Sequence, residues 1–409
     1  MVITESRALT GSAVTGARAG DLLQLLLDGT PRTRAELAVL TGLARSTIAM
    51  RVDSLMASGF ISAVGEAASS GGRPPSRFAF NPTARLVLAV DLGASHCAIA
   101  VTTLSGTVLA SLRAEIAIDA GPGPVLDLVI DRARHLLDSL GDGRAELCGI
   151  GIGLPGPVEH TTGRPANPPI MPGWHDFDVP GYVQRAFDVP VLVDNDVNIM
   201  ALGEQRTQWP AQNDLLFIKV ATGIGAGIIG NGQLQRGALG AAGDLGHVRV
   251  ARGSQVICRC GNIGCLEALA GAPAIAAALT ASGAGDVRTG DIVALVERGD
   301  PDAVAALRQA GRDLGEVLAT CVSLLNPSVI VLGGSLANAG DHLLAGVREV
   351  VYHRSLPLAT AHLTIVRSRA ADDAGILGAS MLVVQQVLSA DAIESAIATQ
   401  SRTLSPFFA

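Results

Sequence analysis

The sequence predicts an α/β protein of two lobes, preceded by a small helical module that ends in a hairpin. Three observations carry this expectation. From residue 85 onward, apolar strand-like runs alternate with helix-like segments, which is the pattern of an α/β fold. Glycine-rich turns close three of those runs: Asp91-Leu-Gly93-Ala-Ser95, Thr222-Gly223-Ile-Gly225-Ala-Gly227 and Gly333-Gly334-Ser335. Such turns let backbone N–H groups approach phosphates. Three of them in this order, each more than a hundred residues apart, fit the actin-like (ribonuclease H-like) two-lobed ATPase arrangement. Ahead of all this, a capped helix, a short glycine turn and an amphipathic helix precede two short strands.

In chain order, residues 1–16 read as a disordered leader rich in Ser, Thr, Gly and Ala. Residues 17–82 are the N-terminal module, 83–390 the two-lobed domain and 391–409 a C-terminal tail. In the module, Thr33-Arg-Ala-Glu36 is a capping box opening a helix that ends near Thr41-Gly42. After Gly42-Leu43-Ala44 the next helix runs to Ser58, with Gly59 as its C-terminal cap. On it Ile48, Val52, Leu55 and Met56 share one face, and Ser46, Thr47, Met50 and Ser54 the other, flanked by Arg51. Strands at 60–64 and 77–80 enclose a loop carrying Gly72-Arg73-Pro74, and Asn81-Pro82 closes the unit. In the large domain, buried strands are predicted at 86–91, 97–102, 149–154, 191–193, 215–220, 225–229 and 329–332. Helices are predicted at 124–140, 303–325 and 376–388, with no sequence repeat at a short period.

Composition sets bounds on function. Hydrophobic residues make up 48% and charged residues 16%, enough for sizeable cores. The net charge of −7 speaks against nucleic acid for the chain as a whole, but residues 17–80 hold seven Arg against five Asp and Glu. That region is +2 and the remainder −9. Lys219 is the sole lysine. Cys97, Cys148 and Cys321 sit in apolar runs and read as core residues in a reducing compartment. No signal peptide is visible over residues 1–20, and the apolar run 86–104 is broken by Asp91 and His96. A cytoplasmic protein with no membrane partner is expected.

The module reads as a winged helix-turn-helix. The exposed face of its third helix would enter the major groove of operator DNA, with Arg45 and Arg51 on phosphates or guanines and Ser46 and Thr47 on phosphates or base edges. Arg73, pinned by proline and flanked by glycine, suits a narrow A·T-rich minor groove. Palindromic operators need two readers, so a homodimer or a dimer of dimers is expected.

Two further clusters carry chemistry. His247, Cys258, Cys260 and Cys265 fall within nineteen residues. Three thiolates and an imidazole complete a tetrahedral zinc shell with no position left open for water, so the metal is structural. Gly261 and Gly264 suit the tight turn between the ligands. Asp194-Asn195-Asp196-Val-Asn198 follows a strand end. An Asn that bonds a hydroxyl beside an Asp that takes its proton is what phosphoryl transfer to an alcohol requires. An Asp/Asn turn that caps the next helix is the plainer alternative.

The chain resembles the ROK family of repressors, uncharacterised reading frames and sugar kinases. The resemblance runs from residue 17 to about 390, and its most specific element is Cys258-Arg-Cys260-Gly-Asn-Ile-Gly-Cys265-Leu-Glu267 downstream of Gly243-Asp244-Leu-Gly246-His247. It implies that His247, Cys258, Cys260 and Cys265 hold zinc. It implies a sugar pocket lined by Asn195, Asp196, His247 and Glu267, with Gly153-Leu-Pro155-Gly156 and Asn167 to Trp174 as the other wall. In the family's kinases the residue matching Asp196 is the general base. A nucleotide would lie on Asp91, Gly93 and Ser95, on Thr222, Gly223 and Gly225, and on Gly333 and Gly334.

Two departures bear on function. The kinases carry Glu at the sugar-site position of Asp244, and losing a methylene withdraws the carboxylate by about 1.5 Å. A misplacement of about 1 Å costs on the order of a hundredfold in rate, so binding can outlive catalysis. Ser95-His96 stands where kinases have Thr and a small or basic residue; the other two loops are intact and leave ATP binding open. The expectation is a sugar-responsive regulator, a repressor released by a sugar inducer. The alternative is an active ATP-dependent hexose or amino-sugar kinase with an appended DNA-binding domain.

Overall fold

The computed structural model describes residues 18–66, 74–283 and 285–403, so the 1–16 leader and the wing residue Arg73 lie outside the described residues. The N-terminal unit starts with α1 (Ala19–Gln24), β1 (Arg32–Thr33), α2 (Arg34–Thr41) and α3 (Arg45–Ala57), and continues with the hairpin β2 (Ile61–Glu66) and β3 (Ser76–Phe80). The capping box opens α2 as its residues require. The Glu36 N–H donates to Thr33 Oγ1 at 3.2 Å, and the Thr33 N–H donates to Glu36 Oε2 at 2.7 Å. Gly42, at φ +70°, turns the chain out of α2 through the left-handed region. Ile48, Val52 and Leu55 are fully buried. Met56 departs from the expected face and is 38% exposed. One residue on from Leu55 is a turn of about 100° around the helix, which carries it past the edge of the apolar stripe. The sheet order is β1-β3-β2; the two-residue β1 is too short to show a period in sequence. Residues from 384 onward belong to this unit as well. The expected tail is largely a helix, Ala390–Thr403, which packs on α1 and buries Ile393.

The second unit comprises residues 86–102 and 106–383 and holds both lobes. In its first lobe β4 (Leu86–Leu92), β5 (His96–Thr103) and β6 (Val108–Glu115) are followed by α4 (Pro122–Ser139), β7 (Leu147–Leu154), the short pair β8 (Val158–Glu159) and β9 (Arg164–Pro165), α5 (Val179–Gln184), β10 (Val191–Asn195) and α6 (Asp196–Gln208). The second lobe runs through β11 (Leu215–Val220), β12 (Ile224–Gly230), β13 (Gln233–Gln235), α7 (Glu267–Ala270), α8 (Ala272–Ala281), α9 (Asp291–Glu297) and α10 (Pro301–Leu325). It closes with β14 (Val329–Gly333), α11 (His342–Arg354), α12 (Pro357–Thr360), β15 (Thr364–Arg367) and α13 (Ala374–Val387), and α14 is the Ala390–Thr403 helix.

The sheet orders are β6-β5-β4-β7-β10 and β13-β12-β11-β14-β15. Both are built alike: three consecutive strands, then two more added in parallel beyond the first of them. Two lobes of one topology make the actin-like fold, although no repeat survives in the sequence.

Strand parity decides what each side chain meets. Leu86, Leu88 and Val90 of β4 join a core with Val125 and Val129 of α4, whereas Ala89 faces Ile199 of α6 and Ala379 of α13. Leu216, Ile218 and Val220 of β11 pack toward α8, α10 and α11, and Leu215 and Phe217 toward Val197 and Ala201 of α6. Helix α6 therefore touches both sheets, with its N-terminus at the end of β10. Among the described residues, no single helix is long and apolar enough to cross a membrane.

Candidate functional site

The Cys/His segment folds as its glycines demand. Gly261 and Gly264 have φ of +89° and +85°, which residues with a Cβ rarely adopt. The hairpin they shape is tied by the Cys258 N–H to Asn262 O at 2.8 Å and the Gly264 N–H to Val256 O at 2.8 Å. It brings one donor atom each from His247, Cys258, Cys260 and Cys265 within 4.8 Å of one another. Cys260 Sγ is 3.6 Å from Cys265 Sγ, and Cys258 Sγ is 3.8 Å from His247 Nδ1. Thiolates at about 2.3 Å from a tetrahedral zinc lie roughly 3.8 Å apart, so the donor set fits the metal. A hydrogen bond from the Asn262 N–H pulls the Cys260 thiol down to about 7, while burial pushes Cys265 up. His247 Nε2 faces the other way and is 4.0 Å from Asp244 Oδ1.

This hairpin also sets Glu267. The Glu267 N–H donates to Gly246 O at 2.9 Å, two residues beyond the last cysteine, and Glu267 Oε2 accepts from the Ile224 N–H at 3.1 Å. The carboxylate thus sits on the Thr222–Gly225 turn, which in turn packs Gly225 against Val197 of α6.

At the end of β10 the Asp/Asn turn caps the next helix. Asn195 Oδ1 accepts from the Val197 and Asn198 N–H groups as the N-cap of α6, and Asn195 Nδ2 donates to Gly156 O at 2.9 Å. Asp194 is buried; its Oδ1 accepts from Asn198 Nδ2 at 2.8 Å and its Oδ2 from Arg236 Nε at 2.6 Å, which ties the two lobes together. Asp196 opens α6 and is almost fully buried, with Lys219 Nζ 2.5 Å from its Oδ2. Gly153 pairs in register with Asp194 on one side and Asp91 on the other, so the three stand abreast at the strand ends. Asn167 is exposed at φ +45° with its N–H bonded to His175 Nδ1, and Trp174 is fully buried, donating from Nε1 to Ile118 O at 3.0 Å.

The phosphate loops are less open than their sequences suggest. A Cβ on Gly93 would lie 2.2 Å from the His96 ring, so the imidazole covers the first turn beside Ser95. The Ile224 N–H of the second turn is taken by Glu267. Gly333 faces the Phe217 ring, and Gly334, at φ +87°, lies against the Val220 backbone. Burial pushes the Asp91 carboxyl up to about 6; Asp196 adds to the rise, and Lys219 and Arg113 oppose it.

In the N-terminal unit Arg45 and Ser46 are exposed at the start of α3 and Thr47 is half-buried. Arg51 is only 24% exposed, 3.9 Å from Glu394 of α14. Sequence reasoning missed four partners here: Lys219, Arg236, Glu394 and the buried Glu204, which accepts from Ser368 and from the Arg369 and Ala370 N–H groups. Lys219 alone left a trace, as the one lysine of the chain.

The ROK family model matches residues 87–386. The chain is 30% identical to a xylose repressor of Bacillus spizizenii over 368 residues, which are 90% of this chain and 94% of that one. It is similar to the crystal structure of a ROK family transcriptional regulator, a homolog of the Escherichia coli MLC protein, with a TM-score of 0.80 and 27% identity over 93% of this chain and 98% of the other. A ROK family glucokinase from Streptomyces griseus, in complex with glucose and AMPPNP, matches with a TM-score of 0.61 and 27% identity, covering 73% of this chain and 98% of its own. The glucokinase is matched almost whole yet leaves about a quarter of this chain over, whereas the regulator leaves almost none. With most of its length inside the family model, the chain belongs to the ROK family.

Proposed function

We propose that this protein is a sugar-responsive transcriptional regulator, a repressor that leaves its operator when a sugar binds in the cleft at the N-terminus of α6. One observation carries the reading. A module of three helices and a hairpin precedes the two-lobed domain, in a chain that aligns over nearly its whole length with a repressor and a regulator of the family. We read the module, residues 17–82, as a winged helix-turn-helix, with exposed Arg45 and Ser46 toward DNA, Thr47 beside them and Arg73 in the wing. The sugar hydroxyls would meet Asn195, Asp196, Asp244, His247 and Glu267, with Gly153 and Asn167 on the opposite wall. His247, Cys258, Cys260 and Cys265 would hold one structural zinc that keeps Glu267 and His247 in place. The working unit is a homodimer or a dimer of dimers, because each half-site of a palindrome takes one module.

The competing reading is an ATP-dependent hexose or amino-sugar kinase using Asp196 as base. The geometry weighs against it. Asp196 is paired with Lys219, His96 covers the first phosphate turn, and Asp244 is a methylene shorter than the kinases' Glu. Two measurements test the proposal. Thermal shifts over a panel of pentoses, hexoses and amino sugars are expected to identify a stabilising ligand. A coupled ATPase assay with that ligand is expected to stay below about 1 s⁻¹, the lower end of ordinary enzymes. Turnover at or above that rate would make the chain a kinase.

A further inference from the structure

Lys219 is the only lysine among 30 basic residues. Elsewhere the chain places its positive charge as arginine; at this one position it uses an ammonium. Parity fixes where that ammonium goes. Leu215 and Phe217 of β11 face α6, and Lys219 is the next residue of the same face. Its nitrogen lies 2.5 Å from Asp196 Oδ2 at the first turn of α6, with the lysine side chain 18% exposed and the aspartate 5%. Asp91, at the end of β4, shares the parity of Ala89, which faces α6 from the other sheet. Burial alone would lower the lysine's proton affinity, but the charges of Asp196 and Asp91 outweigh it and hold the ammonium protonated.

The geometry points to Lys219 as a built-in monovalent cation that takes the place of a divalent metal at Asp196, on the face that Asp91 shares, so that the cleft receives an uncharged ligand and not a metal–nucleotide complex. Asp91 at the end of β4 and Asp196 at the first turn of α6 carry hard oxygen ligands of the kind that hold Mg²⁺ or Mn²⁺, and such a metal keeps open positions for phosphate oxygens. An ammonium on a four-carbon stem satisfies Asp196 and leaves no such position. Arginine would not serve, because its planar fork is bulkier than a point charge. The inference deepens the sensor reading by naming what excludes nucleotide from its cleft.

The test is a Mn²⁺ titration of zinc-loaded, full-length protein, with free Mn²⁺ read by electron paramagnetic resonance. Wild type and its Asp91→Asn variant are expected to bind Mn²⁺ equally weakly, since no site there depends on Asp91. Lys219→Met, which keeps the methylene packing, is expected to bind one Mn²⁺ roughly tenfold or more tighter, because removing the fixed charge raises the site's net negative charge. Adding Asp91→Asn to that variant should abolish the gain. Lys219→Thr serves in its place if the methionine variant does not fold. An Asp91-dependent Mn²⁺ site already present in wild type, or a folded lysine variant that gains none, overturns the proposal. Release of operator DNA by sugar, measured on the same wild-type preparation, reports separately on the sensor function.

Discussion

Asp91 gives the cleft a pH signature. Burial raises its carboxyl from 3.8 to about 6 in the folded chain. A carboxyl with a raised folded pKa binds its proton more tightly folded than unfolded. Its contribution to stability is therefore full below 3.8 and is lost as pH rises through about 6. Asp91→Asn avoids that loss, so its stability relative to wild type should climb across this window; thermal melts at acidic and alkaline pH measure it, and a pH-independent difference would contradict it. Cys260→Ser is expected to release zinc and lower the melting temperature, with each kcal/mol lost shifting it by about 2–4 °C. Elemental analysis of chelator-free wild type showing no zinc would remove that role. The metal set was readable in sequence because its donors are near neighbours and its glycines dictate the turn. The role of Lys219 was not, because a strand position reveals its parity but not which helix N-terminus lies opposite.

Among the elements, α14 is the one whose role the sequence concealed. Its partner α1 lies at the opposite end of the chain, and neither short helix has a long apolar period of its own. The contact is nonetheless close. Arg18 pairs with Asp391, the Gly20 N–H donates to Glu394 Oε1 at 3.1 Å, and a Cβ on Gly20 would lie 2.2 Å from Ala390 O. Arg51, expected to face DNA, has its Nε buried and its guanidinium 3.9 Å from Glu394 Oε1 of this helix. Removing residues from Asp391 onward is therefore expected to loosen the N-terminal module and weaken operator binding while leaving sugar affinity unchanged. Anisotropy with labelled operator and a sugar titration of the truncated protein measure both; undiminished operator affinity would show α14 to be dispensable. The strands of the two sheet centres were predicted to within two residues because both faces are buried and the apolar runs are unbroken. Edge strands β6, β13 and β15 were missed, since edge positions are partly solvated and carry weaker patterns.

Across the whole molecule, the proposed sugar groups and the module are joined in sequence by α13. Asn195 and Asp196 open α6, and Glu204 further along it accepts from Ser368 and the Arg369 and Ala370 N–H groups just before α13. Helix α13 leads from the two-lobed unit into the N-terminal one and is followed by α14, which packs on α1. Under the proposed function, a sugar bound at the start of α6 would act through the Glu204 contacts and the chain of α13. The fold class was readable in sequence from three glycine turns, but this route was not, because it depends on which buried carboxylate meets which loop. Coupling between two sites is reciprocal and typically about 1–3 kcal/mol. The most direct measurement is sugar affinity with and without saturating operator DNA, in wild type and in Asp196→Ala. The account predicts that operator weakens sugar binding to wild type by roughly 5- to 150-fold, and that sugar weakens operator binding by the same factor. It also predicts that Asp196→Ala keeps its operator affinity and loses the response. Equal sugar affinities with and without operator would contradict the account.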